Sequence, residues 1–146
     1  MNMLIKLKSA LLTATFATAL VASTSLSWAL DDAMIKQITP SGIEYVFGGV
    51  GDDRQKEMED MRKYYNLRLT FARTHSGEYL RDVNVTVENI KTHEKLVDVV
   101  SGGPLFFAQL PDGKYKVTAN FMGKQKTKTV TIRRNHPRGI VYYFDK

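Results

Sequence analysis

From Asn66 onward, apolar residues return at every second position, which is the periodicity of a strand with one buried face. Leu67, Leu69 and Phe71 alternate with Arg68 and Thr70. Val83, Val85 and Val87 alternate with Asn84, Thr86 and Glu88. Tyr115, Val117, Ala119 and Phe121 alternate with Lys116, Thr118 and Asn120. Turn chemistry separates such runs: His75-Ser76-Gly77-Glu78, 91–94, Ser101-Gly102-Gly103-Pro104, Pro111-Asp112-Gly113, Met122-Gly123 and Asn135-His136-Pro137-Arg138-Gly139. With 96–100, 105–110, 124–132 and 140–144 added, the pattern predicts a mainly β fold: a seven-stranded β-sandwich over residues 66–146. Two sheets would bury the alternating residues against each other.

One segment breaks the phase. Val130 and Ile132 should face inward, yet Lys126 and Lys128 share their parity. Either a bulge intervenes, or the strand projects beyond the sheet as a lysine-bearing β-ribbon.

Residues 30–65 read as a leader followed by a single helix. The leader carries Thr39-Pro40-Ser41-Gly42, a loop sequence, and 43–47 is a short apolar segment that suits an edge strand. After Gly48-Gly49-Val50-Gly51, Asp52 suits an N-cap with Gln55 as its capping-box partner. Met58, Met61 and Tyr65 make one apolar stripe. The expectation is a helix over about 53–64, packed on one sheet or across an open end of the sandwich.

Residues 1–29 have the order of a secretory signal peptide. Lys6 and Lys8 come first, an apolar stretch covers 10–22, and Ser27 and Ala29 put small residues before a cut after Ala29. The apolar run is shorter than the roughly 20 residues a spanning helix needs, so no transmembrane anchor is expected after cleavage. Export makes the location periplasmic or secreted. The chain has no cysteine, so disulfides and a lipid on an N-terminal cysteine are excluded. The remaining single domain must be held by packing alone. The only tryptophan, Trp28, lies in the signal and leaves with it.

Leu110-Pro111-Asp112-Gly113-Lys114-Tyr115-Lys116-Val117-Thr118-Ala119 resembles the signature of carboxypeptidase regulatory-like domains, which belong to the transthyretin-like (prealbumin-like) sandwich group. The likeness continues through Phe121, Gly123 and Thr129-Val130-Thr131-Ile132 and covers roughly 66–144. It implies a transthyretin-like sandwich and an accessory role without catalysis. The whole chain also resembles small stand-alone exported bacterial proteins with such a domain behind a Gly-rich segment and helix. One enzymatic branch of the group ends in a Tyr-Arg-Gly-Ser type tail. This chain ends Tyr142-Tyr143-Phe144-Asp145-Lys146, so that activity is not implied.

The chain has 21 Lys+Arg against 15 Asp+Glu. Its charge is uneven: Lys114, Lys116, Lys124, Lys126, Lys128, Arg133 and Arg134 follow one another with no acidic residue between them. Such a strip can attract an anionic surface. It can equally be a solvated hairpin face that resists edge-to-edge association. The leading expectation is a non-catalytic binding module that meets a protein or an anionic cell-envelope component through this basic ribbon, or recruits a partner at a strand edge. Nucleic acid is not expected as a partner. The alternative is a small-ligand or carbohydrate binder using Tyr64, Tyr65 and Tyr79.

Catalytic and metal motifs are absent from the sequence. Gly48-Gly49-Val50-Gly51 lacks the Lys-Ser/Thr pair of a phosphate loop, and Asp52 and Asp53 would repel a phosphate, so a tight turn is expected there. His75, His93 and His136 fall in expected loops without ligand spacing, so neither metal nor cofactor is expected. An enzyme would require those three histidines to meet.

Overall fold

A computed structural model describes residues 36–146. The signal peptide expected over 1–29, with Trp28, and the start of the leader lie outside the described residues. Among these residues, no helix is long and apolar enough to cross a membrane.

Among the described residues, nine strands form two sheets. Strands β1 (Gln37–Ile38) and β2 (Glu44–Gly48) precede helix α1 (Asp52–Met61), and a single 3-10 turn, Arg62–Tyr64, follows it. Then come β3 (Leu67–Arg73), β4 (Val83–Asn89), β5 (Lys95–Ser101), β6 (Leu105–Ala108), β7 (Gly113–Phe121), β8 (Lys124–Ile132) and β9 (Arg138–Phe144). One sheet has the order β1-β2-β6-β3-β9, the other β5-β4-β7-β8. All pairings are antiparallel except β3 with β9, where Leu67 stands beside Arg138 and Arg73 beside Phe144.

The core between the sheets is built from the alternating residues. Leu67, Leu69 and Phe71 meet Val83, Val85, Val87, Tyr115, Val117 and Ala119, all buried. From β9, Tyr142 crosses this core and its hydroxyl donates to the Val117 carbonyl at 2.6 Å. Burial raises the Tyr142 phenol well above its ordinary value, with the Lys128 backbone amide pulling the other way. The Pro111-Asp112-Gly113 turn is fastened by Tyr115, whose hydroxyl donates to the Pro111 carbonyl at 2.7 Å. A side chain at Gly113 would come within 3.3 Å of that hydroxyl, so the position suits glycine.

The helix stripe packs on the outer face of the five-stranded sheet. Met58 and Tyr65, with Met61 partly buried, cover Val46 of β2 and Leu105 and Phe107 of β6. This second core explains why β6 is buried on both faces and reads as an unbroken apolar run. The Tyr65 hydroxyl also donates to Glu44 on β2 at 2.9 Å, which fixes the end of the helical segment to the sheet.

Several expectations are corrected here. The N-cap is Gly51, with φ 88° and no side-chain cap bond; Gln55 N–H donates instead to the Gly51 carbonyl. The chain enters the helix from a left-handed conformation that favours glycine, which moves Asp52 and Asp53 into the first turn, where their charge complements the helix dipole. The segment at 43–47 is not an edge: β2 lies between β1 and β6. Strand β6 stops at Ala108, because Asn66 captures the next two residues. The Asn66 side chain accepts from Leu110 N–H at 2.8 Å and donates to the Leu110 carbonyl at 2.7 Å. Its own N–H donates to the Gln109 side chain at 3.1 Å.

Neither explanation offered for the lysine phase holds. β8 is paired with β7 along its whole length without a register shift, placing Lys128 opposite Val117, Lys126 opposite Ala119 and Lys124 opposite Phe121. These lysines therefore lie on the inner side of the sheet. They are tolerated because β8 is an edge strand and β9 is the edge of the facing sheet. Each stem covers the open seam, and the ammonium groups reach β9 or the residues just after it. Lys126 Nζ sits 5.8 Å from the Phe144 ring centre and Lys128 Nζ 5.4 Å from that of Tyr142. Lys128 also donates to the Val141 carbonyl at 3.1 Å, and Lys124 to the Asp145 carbonyl at 3.1 Å. Inward-pointing charge on an edge strand discourages pairing with another chain.

Candidate basic cleft

The strand register sorts the expected basic ribbon into three places. Lys114 and Lys116 lie on the outer face of β7, opposite Thr131 and Thr129, and Lys116 pairs with Glu88 at 3.4 Å. Lys124, Lys126 and Lys128 line the seam to β9. Arg133 and Arg134 lie in the β8–β9 loop, at the end of the sandwich where β3 begins. The seven residues do not share one face.

At that end, three segments converge: the 3-10 turn after α1, the β6–β7 turn and the β8–β9 loop. They enclose an open cleft of about 590 Å³ lined by Lys63, Arg68 and Arg134 among other residues, with Asp112 as its one carboxylate. Among the described residues, no carboxylate lies within salt-bridge distance of Lys63, Arg68 or Arg134. The nearby Arg62 is neutralised by Glu59 at 3.1 Å. Arg68 is half-buried on β3, and its Nε donates to the Tyr65 carbonyl at 3.1 Å. Burial, followed by the Arg62 charge, holds its guanidinium below the ordinary value, while Glu59 acts in the opposite sense. The group remains charged, because a guanidinium does not lose its proton in proteins. A second cleft of about 500 Å³ shares Asn135, His136 and Pro137 with the first and adds Arg133 and Arg138.

Asn66 sets the cleft's shape. Its paired bonds to Leu110 hold the β6–β7 turn against the start of β3, and Arg138 N–H donates to the Asn66 carbonyl at 2.7 Å. One residue thus fastens two of the three walls.

The tyrosines named for a carbohydrate site do not gather. Tyr65 is 2% exposed in the second core, while Tyr64 is 58% exposed and lines the cleft. Tyr79 is 48% exposed but bridges to Ala72 near the opposite end of β3. The histidines are also divided. His93 and His136 lie in connections at the cleft end, and His75 lies in the β3–β4 connection at the other. His93 faces Glu88 at 3.6 Å. Among the described residues, no three His, Cys, Asp or Glu side chains are grouped to hold a metal. The glycine segment before α1 is structural: a side chain at Gly49 would meet Leu105 at 3.0 Å, and one at Gly103 would clash with the Gly48 carbonyl oxygen.

Sequence reasoning placed Arg134 among the basic candidates but passed over Lys63 and Arg68. Lys63 reads as a polar residue of an amphipathic helix, and Arg68 as the outward partner of Leu67 and Leu69. Only the parallel pairing of β3 with β9 brings them beside Arg134. No protein-family model matches this sequence, and no curated protein matches it.

Proposed function

We propose that this chain is an exported, non-catalytic binding module of the transthyretin-like sandwich group, and that it holds an anionic partner at the basic end of its sandwich. The observation that carries this reading is the convergence of Lys63, Arg68 and Arg134 on one cleft without a carboxylate in salt-bridge distance among the described residues. Like charges brought to one cleft without an ion pair raise the energy of the free protein, and an anion seated among them relieves it. Loops at one end of a rigid sandwich are also where such folds carry binding groups. The sandwich group is supported by the Leu110–Ala119 signature and by its turn, which the Tyr115–Pro111 bond fastens. Export rests on the charged, apolar, small-residue order of 1–29.

The partner expected is an anionic component of the cell envelope. Co-sedimentation of the chain beginning at Leu30 with purified envelope tests this. Binding at low ionic strength that is lost at high salt is the expected result. Binding indifferent to salt would point to an apolar contact elsewhere and contradict the reading, as would no binding at either salt.

A further inference from the structure

We infer that the cleft takes an acidic oligosaccharide, a short chain of sugar rings carrying carboxylates. This rests on the reading of the basic end as an anion site and deepens it.

The ring of Tyr64 is the first observation. It is more than half exposed at the cleft wall, whereas most other rings among the described residues, Tyr79 and Tyr143 aside, lie in the two cores. Lys63 Nζ stands 5.1 Å from its centre and Lys36 Nζ 5.9 Å. An exposed aromatic ring with the Lys63 ammonium beside it offers an apolar surface and charge within one ligand unit, whereas Lys36 is already paired with Glu44 at 3.3 Å. A sugar ring bearing a carboxylate has both: C–H groups to lie on the aromatic ring, and an anion to meet an ammonium.

The remaining lining fits hydroxyl-rich rings. The Gln109 carbonyl oxygen is taken by Asn66 N–H, which leaves its NH₂ as a donor, and the Asn135 amide lines both clefts. Neutral amides pair with hydroxyls as readily as with charged oxygens, so this lining accepts both parts of such a ligand. A volume of about 590 Å³ lies within the usual range for small-ligand sites. The second cleft, with Arg133 and Arg138, continues the basic lining past His136. That arrangement suits a linear ligand with repeating charge.

The test is titration calorimetry of the chain from Leu30 with three probes: a tetragalacturonate, its neutral galactose counterpart and tetraglutamate. Tetragalacturonate is expected to bind at least tenfold more tightly than either of the others. Tyr64→Ala should weaken it at least fivefold while Tyr64→Phe retains it, and both variants should keep the wild-type melting temperature, because the ring is largely exposed. Tetraglutamate binding equally well, with Tyr64→Ala without effect, would overturn the saccharide inference and leave the anion site standing. Binding of the neutral sugar equal to that of the acidic one would overturn it too. Failure of all three probes would overturn it, and the salt-dependent envelope assay then decides separately on the anion reading.

Discussion

At the scale of single residues, Asn66 does most to connect fold and site. Its side chain completes both backbone groups of Leu110, and its own backbone groups engage Gln109 and Arg138. Asn66→Ala leaves those Leu110 groups without partners in a partly buried place, at a cost of about 2 kcal/mol. Denaturant unfolding should show that loss, and the variant should also lose affinity at the cleft because two of its walls come loose. Glu44 gives a pH signature. The hydrogen bond from Tyr65, then the bond and charge of Lys36, hold its carboxyl below the ordinary value of 4.5. A carboxyl lowered by folding contributes stability above its unfolded value and loses it as pH falls through the folded one. The melting temperature of the wild type should therefore exceed that of Glu44→Gln at neutral pH, and the two curves should converge as the pH falls through the lowered folded value. Parallel curves down to acid pH would show that Glu44 does not tie the helix end to β2.

At the scale of elements, β8 carries the clearest conflict between pattern and position. Its outer row is Gln125, Thr127, Thr129 and Thr131, and its inner row begins with three lysines before Val130 and Ile132. The lysines close a seam that apolar residues could close more tightly. Their cation–π contacts are worth only about 0.5–1 kcal/mol each at an exposed site. What they add is protection of two strand edges. Replacing Lys126 and Lys128 together with valine should raise thermal stability slightly and also make the protein associate. Sedimentation velocity over a range of concentrations should show larger species in the double variant than in the wild type. Unchanged sedimentation would mean that the lysines do not guard the edge.

At the scale of the whole molecule, much of the architecture was legible because alternation and turn chemistry are local. The buried rows of β3, β4 and β7 follow directly from residues at i, i+2 and i+4, and the helix stripe from Met58, Met61 and Tyr65. The N-cap was misread because Gly51 competes with Asp52 through backbone conformation, which side-chain chemistry alone does not reveal. The lysine phase was misread because the inner side of an edge strand counts as solvent when the facing strand is an edge as well. The cleft was the least legible part. Its cations come from positions 63, 68 and 134, and nothing in the chain between Arg68 and Arg134 announces that β9 returns beside β3. A basic strip read along the sequence therefore became three separate surfaces, one of which joined cations from elsewhere.

The central claim is that binding depends on where the positive charge stands, rather than on how much there is. The most direct test is salt elution from an immobilised anionic polysaccharide of two variants with equal net charge, Arg68→Gln/Arg134→Gln and Lys114→Gln/Lys116→Gln. The account predicts that the cleft variant elutes at a clearly lower salt concentration than the wild type, while the β7 variant elutes close to it. Equal shifts in the two variants would show attraction by net charge alone, and a larger shift in the β7 variant would move the contact to the outer face of β7; either result would contradict the assignment of the cleft.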